Sequence, residues 1–319
     1  MKHLTFIGVL MLLAVIPLQA QNQQQTKGEP IIFTPQWTAQ AQFAGYYVAK
    51  EKGFYDEEGI EVQIVHPNAT QSSEERIRSN KSHITTLQLA QAMQIISDGL
   101  PLVNLLQTSM NNALVIVSRR GKNPMNQPGA RVAIWQAGFT QLAECMIKES
   151  HLKYEWIKAA NSVNLFIAGA VDATVAMSYN EYFQILQSGL PITEECVYRL
   201  SDHDYNIQED GVYMTRAFYM KHKEEAEKFA RASRRGWEYV AEHPEESLDI
   251  VMEYVRRNFI ATNRVIQGLM LQEILRLQLD PDTGERSFLI RPDMLQKANE
   301  LMLRNGEIRR PITMEDLGR

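Results

Sequence analysis

Three polar side chains follow one another directly after an apolar stretch in the second half of the chain. Tyr179, Asn180 and Glu181 come after Ala173–Met177, which has the composition of a buried strand. A carboxylate accepts two parallel hydrogen bonds from the edge of a planar ring that carries an amino group, and an amide offers both a donor and an acceptor. These residues are therefore candidates for binding a small heterocycle. Alternatively, Asn180 and Glu181 cap and charge the first turn of a following helix.

A second candidate site lies near the N-terminus, where a short apolar strand leads into a predicted helix. At such a junction, backbone N–H groups and side chains meet at the edge of a sheet, where open α/β sheets bind ligands. We expect Trp37, Gly45 and Tyr46 to face the ligand, since glycine permits close approach and aromatic rings offer flat apolar surfaces. Phe43 and Val48 have the helical spacing of core residues.

Further polar residues are predicted at strand ends. Thr85 and Thr86 come late in a predicted strand over 84–87, so their hydroxyls could bond a ring nitrogen or an amino group. Alternatively, they cap the helix that follows. Asp210 and Gly211 lie just before a predicted return strand and are expected to border the same cleft, unless Gly211 merely forms a turn.

The elements that would position these residues alternate between strand and helix. This alternation predicts an α/β fold of two lobes, each a doubly wound sheet flanked by helices. A basic stretch rich in Gly, Pro and Asn at 119–129 predicts the first crossing between the lobes, and a strand over 212–215 predicts the return. Lobe two is then inserted into lobe one. The predicted boundaries are 31–118 for the first part of lobe one, 119–214 for lobe two and 215–319 for the helical second part of lobe one.

Residues 1–20 differ in kind from the rest. A basic start precedes an apolar run over 4–18, and Ala20 ends the segment, which predicts a cleaved signal peptide and a periplasmic location. A polar leader over 21–30 follows. The apolar run is shorter than the roughly 20 residues that a bilayer span needs, but an uncleaved membrane anchor is the alternative.

The remaining composition is that of an ordinary globular protein. A net charge of -5 and a 45% apolar content leave no basic field for a polyanion, so nucleic acid is excluded as a partner. Cys145 and Cys196 are expected to be buried small hydrophobes, with a single bridge as the alternative, and neither stands where a lipid anchor would attach. His66, His83 and His203 are expected on the surface or in turns, so no metal site is predicted.

Longer segments carry a resemblance to a known family. The stretch WTAQAQFAGYYVAKEKGFYDEEGIEV at 37–62 resembles the opening of the family that joins periplasmic pyrimidine-binding proteins to fungal thiamine pyrimidine synthases. Agreement extends to GAVDATVAMSYNEY at 169–182, to RRGWEYVAEHPEES at 234–247 and to NGEI beginning at Asn305. The resemblance implies a periplasmic binding protein-like fold, with a ligand in the cleft between two α/β lobes that close by hinge bending.

The resemblance also implies a function and partners. It points to an exported solute-binding protein, acting as a monomer, that captures a thiamine pyrimidine precursor for an ABC permease. The loop at 135–140 is glycine-rich in relatives that hold a phosphate, whereas here Gly138 is its only glycine. An unphosphorylated ligand is therefore expected, with Gln136 among its contacts.

The fungal members of the resembled family are enzymes, and their reactive residues can be sought here. They consume a histidine of their own chain together with pyridoxal phosphate held by a lysine, and they carry a cysteine-rich stretch around iron. In this sequence Leu87 stands at the lysine position, Gln91 stands at the histidine position, and residues 206–213 contain no cysteine. We therefore expect neither catalysis nor a cofactor. A pyrimidine synthase and a ligand-presenting partner of a membrane sensor are the alternatives.

Overall fold

The computed structural model describes residues 29–68, 70–119, 121–135, 140–159 and 162–319. The predicted signal peptide, most of the leader and Gln136 lie outside the described residues.

Ten strands are assigned within the described residues; each is short, and most are buried. They are β1 Ile31–Thr34, β2 Val62–Ile64, β3 Ile84–Gln88, β4 Leu102–Gln107, β5 Leu114–Ser118, β6 Arg131–Trp135, β7 Glu155–Ala159, β8 Ala173–Met177, β9 Val197–Arg199 and β10 Asp210–Thr215.

Helices cover both faces of the sheets, and a group of longer ones follows the last strand. They are α1 Ala44–Glu51, α2 Phe54–Glu57, α3 Ser73–Arg78, α4 Leu89–Ser97, α5 Gln141–Ser150, α6 Asn164–Ile167, α7 Glu181–Gln187, α8 Arg216–Tyr219, α9 Lys223–Glu242, α10 Pro244–Arg257, α11 Arg264–Leu277 and α12 Pro292–Arg304. Short 3₁₀ turns lie at Ala41–Phe43, Pro124–Asn126, Glu194–Cys196 and Leu200–Asp202.

The strands form two separate five-stranded sheets, one in each lobe. The sheet of lobe one has the order β2-β1-β3-β10-β4, and that of lobe two has the order β7-β6-β8-β5-β9. Four of the eight strand pairs are parallel, whereas β10 runs antiparallel to β3 and β4, and β5 runs antiparallel to β8 and β9. The prediction of a two-lobed α/β fold is confirmed, with mixed sheets in place of parallel ones.

The crossings between the lobes lie earlier in the chain than the sequence predicted. Strand β5 pairs with β8 in lobe two, so the first crossing is at 108–113 and not at 119–129. Strand β10 pairs with β3 and β4 in lobe one, so the return crossing is at 200–209. The predicted boundaries after 118 and 214 are corrected accordingly. Strands β5 and β10 each run antiparallel to strands that lie far away in the sequence. Such pairing leaves no local sequence pattern, so the sequence does not predict which lobe these strands join.

Local signals gave several elements accurately and missed one. A capping box is present at the start of α3, because Ser72 Oγ accepts from the Glu75 N–H at 3.2 Å and the Ser72 N–H donates to Glu75 Oε2 at 2.7 Å. Strand β7 was not predicted. It is a half-exposed edge strand of lobe two, and its charged residues hide the alternation that marks a strand.

Helix α1 packs so closely on α9 that glycines are required at the contact. A Cβ atom added to Gly45 would lie 2.3 Å from the Trp237 ring, and one added to Gly236 would lie 2.0 Å from the Gly45 carbonyl oxygen. Tyr46 is buried beside Phe33, Phe229 and Trp237. Gly45 and Tyr46, predicted as cleft residues, therefore lie in the lobe-one core.

Candidate ligand-binding cleft between the lobes

A narrow cavity with about 20 Å³ of space open to water lies between the carboxyl ends of strands from both lobes. That space is enough for about one water molecule, so the two walls must move apart to admit a ring. Four residues form its lobe-one wall: Gln36, Trp37, Gln40 and Gln42. Five residues form its lobe-two wall: Trp135, Met177, Tyr179, Asn180 and Glu181.

The lobe-two wall is built from residues at the ends of β6 and β8. Glu181 is buried at the start of α7, where its Oε2 accepts from the Met177 N–H at 3.0 Å and its Oε1 accepts from Asn180 Nδ2 at 3.3 Å. The Trp135 side chain donates to the same carboxylate. Burial raises the pKa of Glu181, and these donors work against that rise.

Asn180 occupies the N-cap position of α7, but its side chain makes no capping hydrogen bond. Its Oδ1 instead accepts from Gln184 Nε2 at 2.8 Å. The structure therefore contradicts the alternative in which the Asn180 side chain caps the helix. Glu181 does bond within its own turn, through the Met177 N–H, and it also lines the cavity.

The lobe-one wall is a chain of amide groups tied to one carboxylate. Gln36 Nε2 donates to Asp210 Oδ1 at 2.9 Å, and Gln42 Nε2 donates to Asp210 Oδ2 at 2.6 Å. Gln40 Nε2 donates in turn to Gln42 Oε1 at 2.6 Å. Asp210, predicted to border the cleft, thus stands directly behind the glutamines, and burial raises its pKa.

The two threonines predicted at a strand end support the lobe-one wall and do not line the cavity. Thr86 Oγ1 accepts from the Gln36 N–H at 2.8 Å, and Thr85 Oγ1 donates to the Thr34 carbonyl at 2.8 Å. Neither caps α4, whose N-cap residue is Gln88. Thr86 therefore acts on the cavity indirectly, by fixing the backbone at Gln36.

Trp37 is held in place by a histidine that the sequence analysis assigned to the surface. His66 Nδ1 lies 2.7 Å from the Trp37 carbonyl oxygen, and its Nε2 lies 2.9 Å from the Tyr47 hydroxyl. A carbonyl only accepts, so Nδ1 carries the proton and Nε2 accepts from Tyr47. Burial lowers the pKa of His66 to about 4, which keeps the ring neutral in this arrangement.

Several cavity residues were missed at the level of sequence. The glutamines at 36, 40 and 42 had a signal, because they cluster at a strand-to-helix junction where surrounding residues were expected to be buried. Buried amides need partners, and that need points to a polar network. Met177 ends a predicted strand and Trp135 begins the loop at 135–140, but neither was singled out as a ligand contact. Gln136 lies outside the described residues.

The comparison with known families decides what kind of chain this is. The model of the family described as NMT1/THI5 like matches residues 40–247, which is well over half of the chain. The chain belongs to the NMT1/THI5-like family.

Individual relatives of this NMT1/THI5-like protein are distant. A formylaminopyrimidine-binding protein from Halalkalibacterium halodurans is 22% identical over 276 residues, covering 78% of this chain and 78% of its own. The periplasmic aliphatic sulphonate-binding protein of Escherichia coli superposes with a TM-score of 0.62 at 14% identity, covering 91% of this chain and 92% of its own. The ligand-binding component of an ABC-type import system from Staphylococcus aureus gives 0.65 at 11% identity, covering 90% and 95%. The fold is that of periplasmic binding proteins.

The positions that carry the chemistry of the fungal enzymes hold other residues in this NMT1/THI5-like chain. Leu87 is fully buried within β3, and Gln91 lies in α4, where its Nε2 donates to Glu74 at 3.0 Å. Within the described ranges, no group of His, Cys, Asp or Glu is arranged to hold a metal ion. Both cysteines are free and buried, so the alternative of a bridge is excluded. No helix in the described part is long and apolar enough to cross a membrane.

Proposed function

We propose that this protein is an exported solute-binding protein that captures a thiamine pyrimidine precursor, an aminopyrimidine, and delivers it to an ABC permease. The observation that carries the proposal is the convergence of aromatic and hydrogen-bonding side chains from both lobes on one small cavity. Trp37 and Tyr179 supply flat apolar surface for a ring. The glutamines and Glu181 supply acceptors for its amino group.

The connection between the lobes supports capture by closure. Two crossings, at 108–113 and 200–209, join the sheets, which is a geometry suited to hinge bending. Polar contacts also join the lobes away from the hinge. Gln141 Nε2 of α5 donates to Gln94 Oε1 of α4 at 2.9 Å, and Ser178 Oγ donates to Glu273 Oε1 of α11 at 2.7 Å. Binding that adds contacts to both walls would favour this closed arrangement.

The comparisons support the ligand class and the partner. One relative is named for binding formylaminopyrimidine, and one structural neighbour is the ligand-binding component of an ABC-type import system. The apolar start of the chain supports export to the periplasm, where such components meet their permeases. Leu87 has no amine with which to hold pyridoxal phosphate, and this favours binding over pyrimidine synthesis.

Calorimetry on the purified protein tests the proposal. We expect formylaminopyrimidine or its hydroxymethyl counterpart to bind with micromolar or tighter affinity at one site, and an aliphatic sulfonate to give no heat. Absence of heat from both pyrimidines at high micromolar concentration would count against this ligand class. Incubation with pyridoxal phosphate and iron should yield no pyrimidine product; product formation would favour the synthase alternative.

A further inference from the structure

A single buried carboxylate contacts two of the amide groups of the lobe-one wall. Asp210 stands at the start of β10, and its two oxygens accept from Gln36 Nε2 at 2.9 Å and from Gln42 Nε2 at 2.6 Å. All three side chains are more than nine-tenths buried. An ionised carboxylate has acceptors only, so it fixes which end of each amide faces it.

Of these two amides, the one at Gln36 keeps its oxygen for a ligand. Gln36 Oε1 is buried on a side chain that lines the cavity, and it has no hydrogen-bond partner among the described residues. Gln42 Oε1 accepts from Gln40 Nε2, so the orientation set by Asp210 passes on to Gln40. A buried acceptor without a donor is costly, and a ligand that brings an N–H group removes that cost.

The arrangement lies entirely within lobe one, so it precedes closure. Gln36 is fixed by the bond from its N–H to Thr86 Oγ1. The 3₁₀ turn at Ala41–Phe43, which carries Gln42, is fixed by the Ala41 N–H donating to Gln267 Oε1 at 2.7 Å. A ligand entering an open cleft therefore meets amide oxygens that are already oriented, and such preorganisation increases selectivity and affinity.

We propose that Asp210 is a positioning residue that turns the amide oxygens of Gln36 and Gln40 toward the cavity and thereby selects a ligand with an N–H donor. The inference deepens the proposed function and rests on it for the identity of the ligand. An aminopyrimidine satisfies Gln36 Oε1, whereas a ring that lacks the amino group leaves it unpaired.

The first experiment needs no ligand. With ¹⁵N-glutamine labelling, the side-chain NH₂ signals of Gln36 and Gln42 are assigned through Gln36→Met and Gln42→Met. We expect both NH₂ groups to exchange slowly with solvent in the parent protein and to lose that protection in Asp210→Asn. Asp204→Asn removes the same charge from an exposed position and should leave both signals unchanged. If Asp210→Asn also leaves both signals unchanged, the positioning role is overturned, whatever the protein binds.

The second experiment measures selectivity with a matched ligand pair, an aminopyrimidine and its analogue with hydrogen in place of the amino group. The parent protein should prefer the amino compound by about tenfold or more, as expected for one buried hydrogen bond. Asp210→Asn and Gln36→Met should each reduce that preference by about fivefold, and the double variant should reduce it no further. The affinity for the analogue should hardly change, whereas a general structural defect would weaken both ligands.

An undiminished preference in Gln36→Met would overturn the inference even if Asp210→Asn failed to fold. If the parent protein bound neither pyrimidine, the proposed function would fail, and the exchange measurement would still decide the role of Asp210.

Discussion

The two walls of the cavity are built in different ways. In the lobe-two wall, Tyr179, Asn180 and Glu181 follow β8 directly, and Glu181 bonds to the Met177 N–H only four positions away. In the lobe-one wall, Gln36 and Gln42 are held by Asp210, which lies 174 and 168 positions further along the chain. The lobe-two wall is held by hydrogen bonds between residues close in sequence. The lobe-one wall is held by a residue of β10, a strand that follows the whole of lobe two in the chain. Order that is set within a few residues can therefore be predicted from sequence, whereas the orientation of side chains that a distant strand holds cannot.

The largest effect is expected from removing the aromatic surface of the lobe-one wall. Trp37→Ala should weaken aminopyrimidine binding about 50-fold, or about 2.3 kcal/mol, because a tryptophan buried against a ligand is a typical hot spot. Calorimetry measures the loss. Trp156→Ala is the matched control, since Trp156 lies half-buried on the far edge strand β7 of lobe two. Equal affinities for the two variants would show that Trp37 is not part of the binding surface.

Substitution of Gly45 tests whether this residue belongs to the lobe-one core or to the lobe-one wall of the cavity. Gly45→Ala should lower the free energy of unfolding by about 2–3 kcal/mol, because the new methyl group would overlap the Trp237 ring. Denaturant titration measures this loss, and ligand affinity of the remaining folded protein should be unchanged. Gly268→Ala, in helix α11 with 3.4 Å to its nearest neighbour atom, should be neutral or slightly stabilising. A loss of ligand affinity in Gly45→Ala without a loss of stability would show that Gly45 is a cleft residue and not a core residue.

The positions of Gly45 and Tyr46 show which features could not be predicted from the sequence. Strand β8 was predicted with its observed bounds, because it is a compact apolar run that polar residues follow. A glycine beside aromatic residues, however, is compatible both with a ligand surface and with a helix contact. The choice depends on Trp237, which only the folded chain brings to Gly45. For the same reason, nothing in the linear pattern connects Gln42 with Asp210.

A smaller effect is expected in the lobe-two wall. Glu181→Gln should weaken binding of an aminopyrimidine about tenfold, because the amide keeps one acceptor oxygen but loses the charge that strengthens a bond to an amino group. Glu195→Gln makes the same change at an exposed position of lobe two and serves as the control. If Glu181→Gln alters thermal stability while affinity matches the control, Glu181 serves only the start of α7. The position of Glu181 directly after β8 would then reflect helix stability and not ligand binding.

The smallest effect on binding is expected from His66, which supports Trp37 from behind. His66→Gln should weaken binding about threefold at neutral pH, because the Trp37 carbonyl loses its buried donor while the indole remains. The clearer readout is the pH dependence of unfolding. Burial lowers the pKa of His66 to about 4, whereas the unfolded chain titrates near the ordinary value of about 6.5. The unfolded state therefore binds a proton that the folded state excludes as the pH falls through this range.

Stability contributed by the neutral His66 ring is thus fully present above about pH 6.5, declines down to about pH 4 and changes no further below it. We expect the decline to amount to on the order of 3 kcal/mol and to be absent from His66→Gln, with exposed His203→Gln as the control. Urea titrations at several pH values give the difference between variants, in which contributions from other titrating groups cancel. Parallel curves for the parent and His66→Gln would mean that the ring is not held neutral. The order of the lobe-one wall would then rest on Asp210, Thr86 and Gln267.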